Sequence, residues 1–281
     1  MIKGCGLRIA AGLILAGVQV TPATAQSRPL PLEPVGGAGA GRVMLETSVD
    51  YTPDMRFTLS GLGGDLWRLG LVRLHVGLSS IADFELSGGL RDHLTITSTT
   101  PAVLSDQLHL SNPTATGSFD DLVVGTKVRV RDEQAGPPGV AFDLSTRLPN
   151  AKHGSGLGQD SMDFYARLLV AEPTPVLHMT INVGLGILGD PLQGNRHVQS
   201  FLYGAELSRP LTHQLGVVVG ADGRTGPSQP GLEARAIGRG GVAWTEGAAR
   251  IEVDGTIGLT SRDGNLGVAV RAILRFQAFT P

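Results

Sequence analysis

Apolar and polar residues alternate along the C-terminal third of the chain. From Ala249 to Leu259, the apolar residues Ala249, Ile251, Val253, Ile257 and Leu259 are interleaved with Arg250, Glu252, Asp254, Thr256 and Gly258. The last segment repeats the pattern, with Leu266, Val268, Val270, Ala272, Leu274 and Phe276 interleaved with Gly267, Ala269, Arg271, Ile273 and Arg275. Period two over about ten residues describes a strand with one greasy and one polar face, long enough to cross a bilayer when tilted.

Two-residue turns are expected at Glu246-Gly247 and Asp263-Gly264, where glycine supplies the positive φ that a tight hairpin needs. The first sets Ala249 against Trp244, Ile251 against Val242 and Asp254 against Arg239. The second sets Arg262 against Asn265, Ile251 against Phe276, Val253 against Leu274 and Glu252 against Arg275. Greasy then meets greasy and acid meets base, an agreement that a one-residue slip would destroy. A soluble sheet alternates in the same way, so the remainder of the chain has to decide.

Further strands are expected at Val43–Tyr51 (running on toward Ser60), Leu66–Leu78, Phe84–Ile96, Asp121–Arg131, Gly139–Leu148 and Met162–Ala171. After these come Leu177–Leu188, Phe201–Arg209, Leu215–Arg224 and three strands between Gly231 and Phe276. An even count of about twelve returns the chain to its starting side, as in single-chain bacterial barrels. Tight connections (Ser79–Asp83, Asp132–Pro138, Glu172–Val176, Pro210–Gln214) alternate with long polar ones (Thr97–Asp120, Pro149–Ser161, Gly189–Ser200). Short periplasmic turns and longer outer loops make that pattern, and it puts both termini in the periplasm.

Most strands keep their polar residues on one face: Glu46, Ser48 and Asp50; Glu85, Ser87, Arg91 and His93; Lys127, Arg129 and Arg131; Asp143, Ser145 and Arg147. In a membrane barrel that face lines the lumen, and the polar residues expected there include Arg129, Arg147, Arg167, Glu206, Arg235, Arg239, Arg250, Glu252, Asp254, Arg271 and Arg275. In a soluble sandwich it would look outward. Aromatics separate the two readings: Phe84, Phe142, Trp244 and Phe276 sit on greasy faces at one end, and Phe164, Phe201 and Tyr203 at the other, as interfacial girdles would. The second strand changes phase between Trp67 and Val72, which marks a bulge.

The N-terminus bears Lys3 and Arg8, an apolar run from Ile9 to Val20, and Ala23-Thr24-Ala25, read as a secretory signal spanning residues 1–25. Its removal takes away Cys5, the chain's one cysteine, so neither disulfides nor thiol chemistry are expected. It also removes two of 23 basic residues and none of 25 acidic ones. That leaves no cationic excess for nucleic acid. Residues 26–42 are rich in proline and glycine and are read as a flexible lead-in. The barrel is expected over 43–276, with a short periplasmic tail at 277–281. Beyond the signal no apolar run approaches the length of a spanning helix.

His109-Leu110-Ser111-Asn112 resembles the His-Ser-Asn neighbourhoods of outer-membrane lipid A deacylases and phospholipases, which implies a lipid hydrolase. Such chemistry needs His and Ser adjacent on a lipid-facing strand. Here the tetrad lies in a long polar loop beside Pro113, and a solvated loop is the preferred reading. His153-Gly154-Ser155-Gly156 is a flexible loop, the seven histidines show no metal-ligand spacing, and the glycines of 231–241 lack the strand-to-helix context of a nucleotide site. No cofactor is expected.

The segment Phe142–Asp190 contains a strand ending in Leu-Pro, a glycine-rich loop, a Ser-x-Asp-Phe strand start and a strand with a Gly-x-Gly ending. Together with Gly77–Gly89 upstream, it resembles the MetA-pathway-of-phenol-degradation family of outer-membrane transporter-like barrels. That resemblance implies an all-β, transmembrane, antiparallel up-and-down barrel that passes small molecules, with aromatic or hydrophobic solutes as candidates. The expected partners are outer-membrane lipids, the barrel-assembly machinery and a small-molecule solute. A closed structural or surface-binding barrel is the remaining alternative.

Overall fold

The computed structural model describes residues 31–133, 137–151, 153–174, 176–260 and 263–280. The expected signal, residues 26–30 of the lead-in, and Arg262 lie outside these. Thirteen antiparallel strands follow one another: β1 (Arg42–Arg56), β2 (Leu62–Gly77), β3 (Ala82–Thr99), β4 (Ala115–Ser118), β5 (Leu122–Arg131), β6 (Gly139–Leu148) and β7 (Asp163–Pro173). The remainder are β8 (His178–Gly189), β9 (His197–Pro210), β10 (Leu215–Arg224), β11 (Arg235–Glu246), β12 (Ala249–Gly258) and β13 (Leu266–Gln277). Consecutive strands pair, except that β4 and β5 both pair with β3 and not with each other, and β1 pairs with β13, so the sheet closes on itself. The ring has twelve staves, because β4 and β5 both pair with β3 in one continuous register, from Asp92↔Ser118 to Ser87↔Val123, and form a single interrupted strand.

The alternation read from the sequence becomes an inside and an outside. Val253, Ile257, Leu266, Val268 and Val270 are exposed, whereas Glu252, Asp254 and Ala269 are buried. Phe84, Phe142, Trp244 and Phe276 point outward near one end and Phe164, Phe201 and Tyr203 near the other. A closed barrel with a greasy exterior and a charged interior is the transmembrane form of this architecture; a soluble sandwich would bury the opposite face.

Both expected hairpin registers are corrected. The turn after β11 is Gly247-Ala248, with Gly247 at φ 57°, so Glu246 faces Ala249, Trp244 faces Ile251 and Arg239 faces Thr256 in place of Asp254. Between β12 and β13, Ile257 pairs with Leu266, so Ile251 meets Ala272, Val253 meets Val270, and Glu252 meets Arg271 in place of Arg275. No two-residue turn forms at Asp263-Gly264, because Asp263 is used elsewhere. Its carboxylate accepts the Ala236 N–H at 2.8 Å and the Thr260 hydroxyl at 2.6 Å, tying the connection to the start of β11. The shifts are of two and four residues, and even shifts leave every side chain on its expected face.

The phase change in β2 is a bulge at Gly70 (φ 64°): Leu69 pairs with Val49 and Leu71 with Ser48, leaving Gly70 as the extra residue. β3 changes phase beside it, which corrects the expectation for Arg91 and His93. They pair with the outward-facing Leu69 and Trp67, while Asp92 and Leu94 turn inward. β3 also runs past Ile96 to Thr99, and the long connection after it holds β4 and a 3₁₀ turn at Ser105–Gln107.

Candidate functional site: a chamber closed along its axis and a break in its wall

A charged seam runs along the inside of β11–β13 and β1. Arg271 reaches Glu252 at 2.9 Å, Asp254 at 3.3 Å and Glu46 at 3.4 Å, and Arg250 pairs with Glu252. Arg239 pairs across β10 with Glu206 at 2.5 Å, so Glu252, Asp254 and Arg271 come together while Arg239 belongs to another pair. Arg167 bonds Asp143 at 2.9 Å, and Arg235 approaches Asp263 at 3.4 Å. Arg129 bonds Ser80 and Asp132 at the end bearing the described termini, and Arg275 is exposed there. Buried charges survive in such a wall because each is matched and hydrogen-bonded; a lone one would cost several kcal/mol.

That terminal end is filled by residues 31–41, which run along the inner wall. Val35 is fully buried against Ala141, Leu169 and Ala171, and the Pro31 carbonyl accepts a bond from Arg167 at 2.9 Å. Glu33 is the anchor: Lys127 Nζ lies 2.8 Å from it, His75 Nδ1 3.5 Å and Arg73 3.7 Å. Glu133, in the connection after β5, accepts the Gly36 N–H at 2.9 Å and is held below the usual carboxylate range chiefly by its hydrogen bond with His178. Glu33, His75 and Glu85 bring three metal-ligand atoms within 4.8 Å of one another. Lys127 stands 2.8 Å and 3.2 Å from the two carboxylates and already fills the place of a cation, so the cluster reads as an ion-pair pin. None of these residues is marked by a motif. The clue available in the sequence was a lone acid between prolines, Pro31-Leu-Glu-Pro34, in a stretch with no other acid.

Loops close the opposite end. Met55, Phe57, Leu62, Leu66, Leu94 and Leu157 form a buried cluster beneath Leu108 and Leu110. Ser60 bonds the Gly156 carbonyl at 2.8 Å, His109 N–H the Gly154 carbonyl at 3.0 Å, and Gln159 the Gly231 carbonyl at 2.6 Å, so four connections are laced into one cap. Beneath it Arg147 bonds Asp121 at 2.7 Å, Asp163 at 2.6 Å and Gln159 at 2.8 Å. Within the His109–Asn112 tetrad, the His109 ring lies against the Gln107 carbonyl at 2.9 Å, and Asn112 accepts from the Thr114 N–H at 2.9 Å to turn the chain into β4. The tetrad is part of this cap.

Between lead-in and cap lies a chamber of about 170 Å³, reached by Pro31, Glu46, Asp50, Arg68, Arg147 and Arg271. Outside the barrel, against β1–β3, is a second cavity of about 490 Å³ walled by Leu45, Leu74, Leu86, Leu90 and Leu122. The two share Val72, Ser87, Gly88, Phe119 and Asp120 as lining. Those five residues sit at the interruption between β4 and β5. There the ladder with β3 lapses between Ser87↔Val123 and Asp92↔Ser118, Gly70 bulges opposite, and Phe119 is 64% exposed. Six residues beyond Phe84, at about 3.3 Å rise each and a tilt near 40°, Leu90 lies roughly 15 Å from the terminal-end girdle, inside the bilayer.

No family model matches the chain, and no curated protein does. Among solved structures, the COG4313 outer membrane channel from Pseudomonas putida F1 is similar at 13% identity and a TM-score of 0.57, covering 84% of this chain and 96% of that one. The translocator domain of the autotransporter NalP from Neisseria meningitidis is similar at 15% identity and a TM-score of 0.45, covering 85% and 89%. The first likeness establishes a shared fold: the chain has the barrel architecture of bacterial outer-membrane proteins.

Proposed function

We propose that this protein is an outer-membrane channel for small, predominantly apolar or aromatic molecules, which enter its chamber through the side wall. The observation that carries this reading is the apolar recess in the flank: five residues separate the chamber from it, whereas toward the cap the chamber shares Ala151, Gly158 and Gln159 with a cavity of about 260 Å³ enclosed among the loops. A polar solute arriving from water meets the cap. A hydrophobic solute dissolved in lipid meets leucines and a broken strand. The channel class of the Pseudomonas putida F1 barrel supports the reading, as does the resemblance of Phe142–Asp190 to transporter-like barrels. In this reading the termini are periplasmic and the cap faces outward. A tag at Gly194, where an added Cβ meets nothing within 4 Å, is then reachable on intact cells.

The test is Gly88→Leu. An added Cβ at Gly88 meets Leu122 Cδ1 at 3.5 Å, an ordinary contact, so the backbone there accepts a side chain, and leucine adds bulk to the shared wall. Uptake of a radiolabelled uncharged aromatic by cells with an intact lipopolysaccharide leaflet should fall several-fold relative to wild type. In planar bilayers both proteins should show the same small conductance. A large wild-type conductance, with aromatic uptake unaffected by Gly88→Leu, would make the protein an axial pore.

A further inference from the structure

Asp120 is the one ionisable side chain among the five residues shared by the two cavities. One of its carboxylate oxygens accepts the backbone N–H of Asp121 at 2.8 Å. Its further partner is Arg68, which it feels through charge alone. Its neighbours differ: Asp121 is taken by Arg147 at 2.7 Å and by the Asn150 and Ala151 N–H groups at 3.0 Å. Arg68, which lines the same chamber, lies 3.5 Å from Asp92 and interacts electrostatically with Asp120 and Asp50 as well, so one guanidinium serves three carboxylates, and Arg147 is bound to Asp121 and Asp163. In the chamber wall beside the passage carboxylates therefore outnumber cations, and the residue standing in it has acceptor capacity to spare. Asn150 also lines the apolar recess, its side-chain oxygen accepting the Leu122 N–H at 3.4 Å.

A fixed charge acts most strongly where lipid and leucine lower the dielectric around it, and less in the hydrated chamber. A solute crossing the wall brings its polar group past this carboxylate. An ammonium or hydroxyl group can donate to it, whereas a carboxylate meets like charge. We propose that Asp120 is a charge filter in the side wall: it admits amphiphiles whose polar group is cationic or a hydrogen-bond donor and turns back those bearing a carboxylate. The proposal rests on the side route argued above, and its test is chosen to separate the two.

Two probes share one apolar body, 4-phenylbutylammonium and 4-phenylbutyrate. Their influx into proteoliposomes is measured at neutral pH for the full mature chain and for Asp120→Asn, Asp120→Glu and Gly88→Leu, each checked for heat-modifiable gel mobility. Wild type should favour the ammonium by about tenfold, Asp120→Glu should keep that preference, and Asp120→Asn should bring the two fluxes within about twofold. An Asp120→Asn protein that assembles and keeps the wild-type ratio overturns the filter. If Asp120→Asn does not assemble, the filter is judged on the other two proteins, and absence of an ammonium preference in wild type or Asp120→Glu overturns it. Gly88→Leu reports on the route alone: equal loss of both fluxes supports it, and unchanged fluxes sink both the route and the filter.

Discussion

The wall from β6 to β13 and the wall from β2 to β5 are built from the same alternation and behave differently. Along β6–β13 each strand pairs with the next without a register shift, the outside is greasy between its ends, and the inside is stitched by Arg167–Asp143, Arg239–Glu206 and Arg271–Glu252. Along β2–β5 the ladder carries a bulge at Gly70, a phase change in β3 and an interruption at residues 119–121. Below that break the same strands supply Arg73, His75, Glu85 and Lys127, which hold the lead-in. A barrel needs only part of its circumference to be regular to stay closed. The irregular part is where backbone hydrogen bonds are given up and side chains are re-aimed, and such departures concentrate at functional places.

Four experiments bear on this contrast. The largest effect is expected for Lys127→Met, which strands Glu33 and Glu85 without their shared cation. Removing one partner of a buried pair costs about 3 to 5 kcal/mol. The loss should appear as a lower unfolding midpoint in denaturant and as protease access to residues 31–41, while β6–β13 stays protected. Lys127→Arg should restore most of it. An unchanged midpoint would mean that the lead-in is not pinned by this cluster.

Next in size is one substitution made in both walls. Val253→Arg places a charge on the lipid face of the regular wall and should cost about 2 to 4 kcal/mol near the midplane. Leu90→Arg is at a more exposed position but sits beside Asp120 at the break, where the guanidinium can reach a carboxylate and the chamber. It should cost less than half as much in refolding into lipid vesicles. Equal costs would mean that the break is sealed from the interior.

Gly70→Ala comes third. A residue with a Cβ at φ 64° carries a penalty of about 1 kcal/mol, and here the added carbon would meet Leu90 at 2.9 Å. A modest loss of stability with altered aromatic uptake is expected, whereas Gly255→Ala, whose Cβ would meet its nearest neighbour at 3.8 Å in the regular wall, should leave uptake unchanged. The smallest effect is expected for Thr256→Arg, which points into the chamber and should assemble with a midpoint close to wild type. Failure of Thr256→Arg alongside normal assembly of Val253→Arg would invert inside and outside.

The sequence by itself determined which face is greasy for the strands other than β3, how many times the chain crosses, and that β2 is irregular near Gly70. These are local properties: side chains alternate with period two, and a phase change shows in the pattern whatever the strand pairs with. The expected registers of β11–β13 kept the right faces and named the wrong partners. Asp263-Gly264 has turn chemistry, but Asp263 finds stronger use bonding Ala236 and Thr260, and nothing near it in sequence announces a residue 27 positions away. Arg91 and His93 were put on the wrong face because a bulge in one strand re-phases its neighbour only once the two are paired. Only the tertiary structure decided that a proline-rich lead-in lies against Lys127, that four loops lock over one mouth, and that a five-residue wall at Gly88 and Asp120 divides lipid from lumen. Each depends on contacts between segments distant in the chain, and those exist only once the barrel has closed.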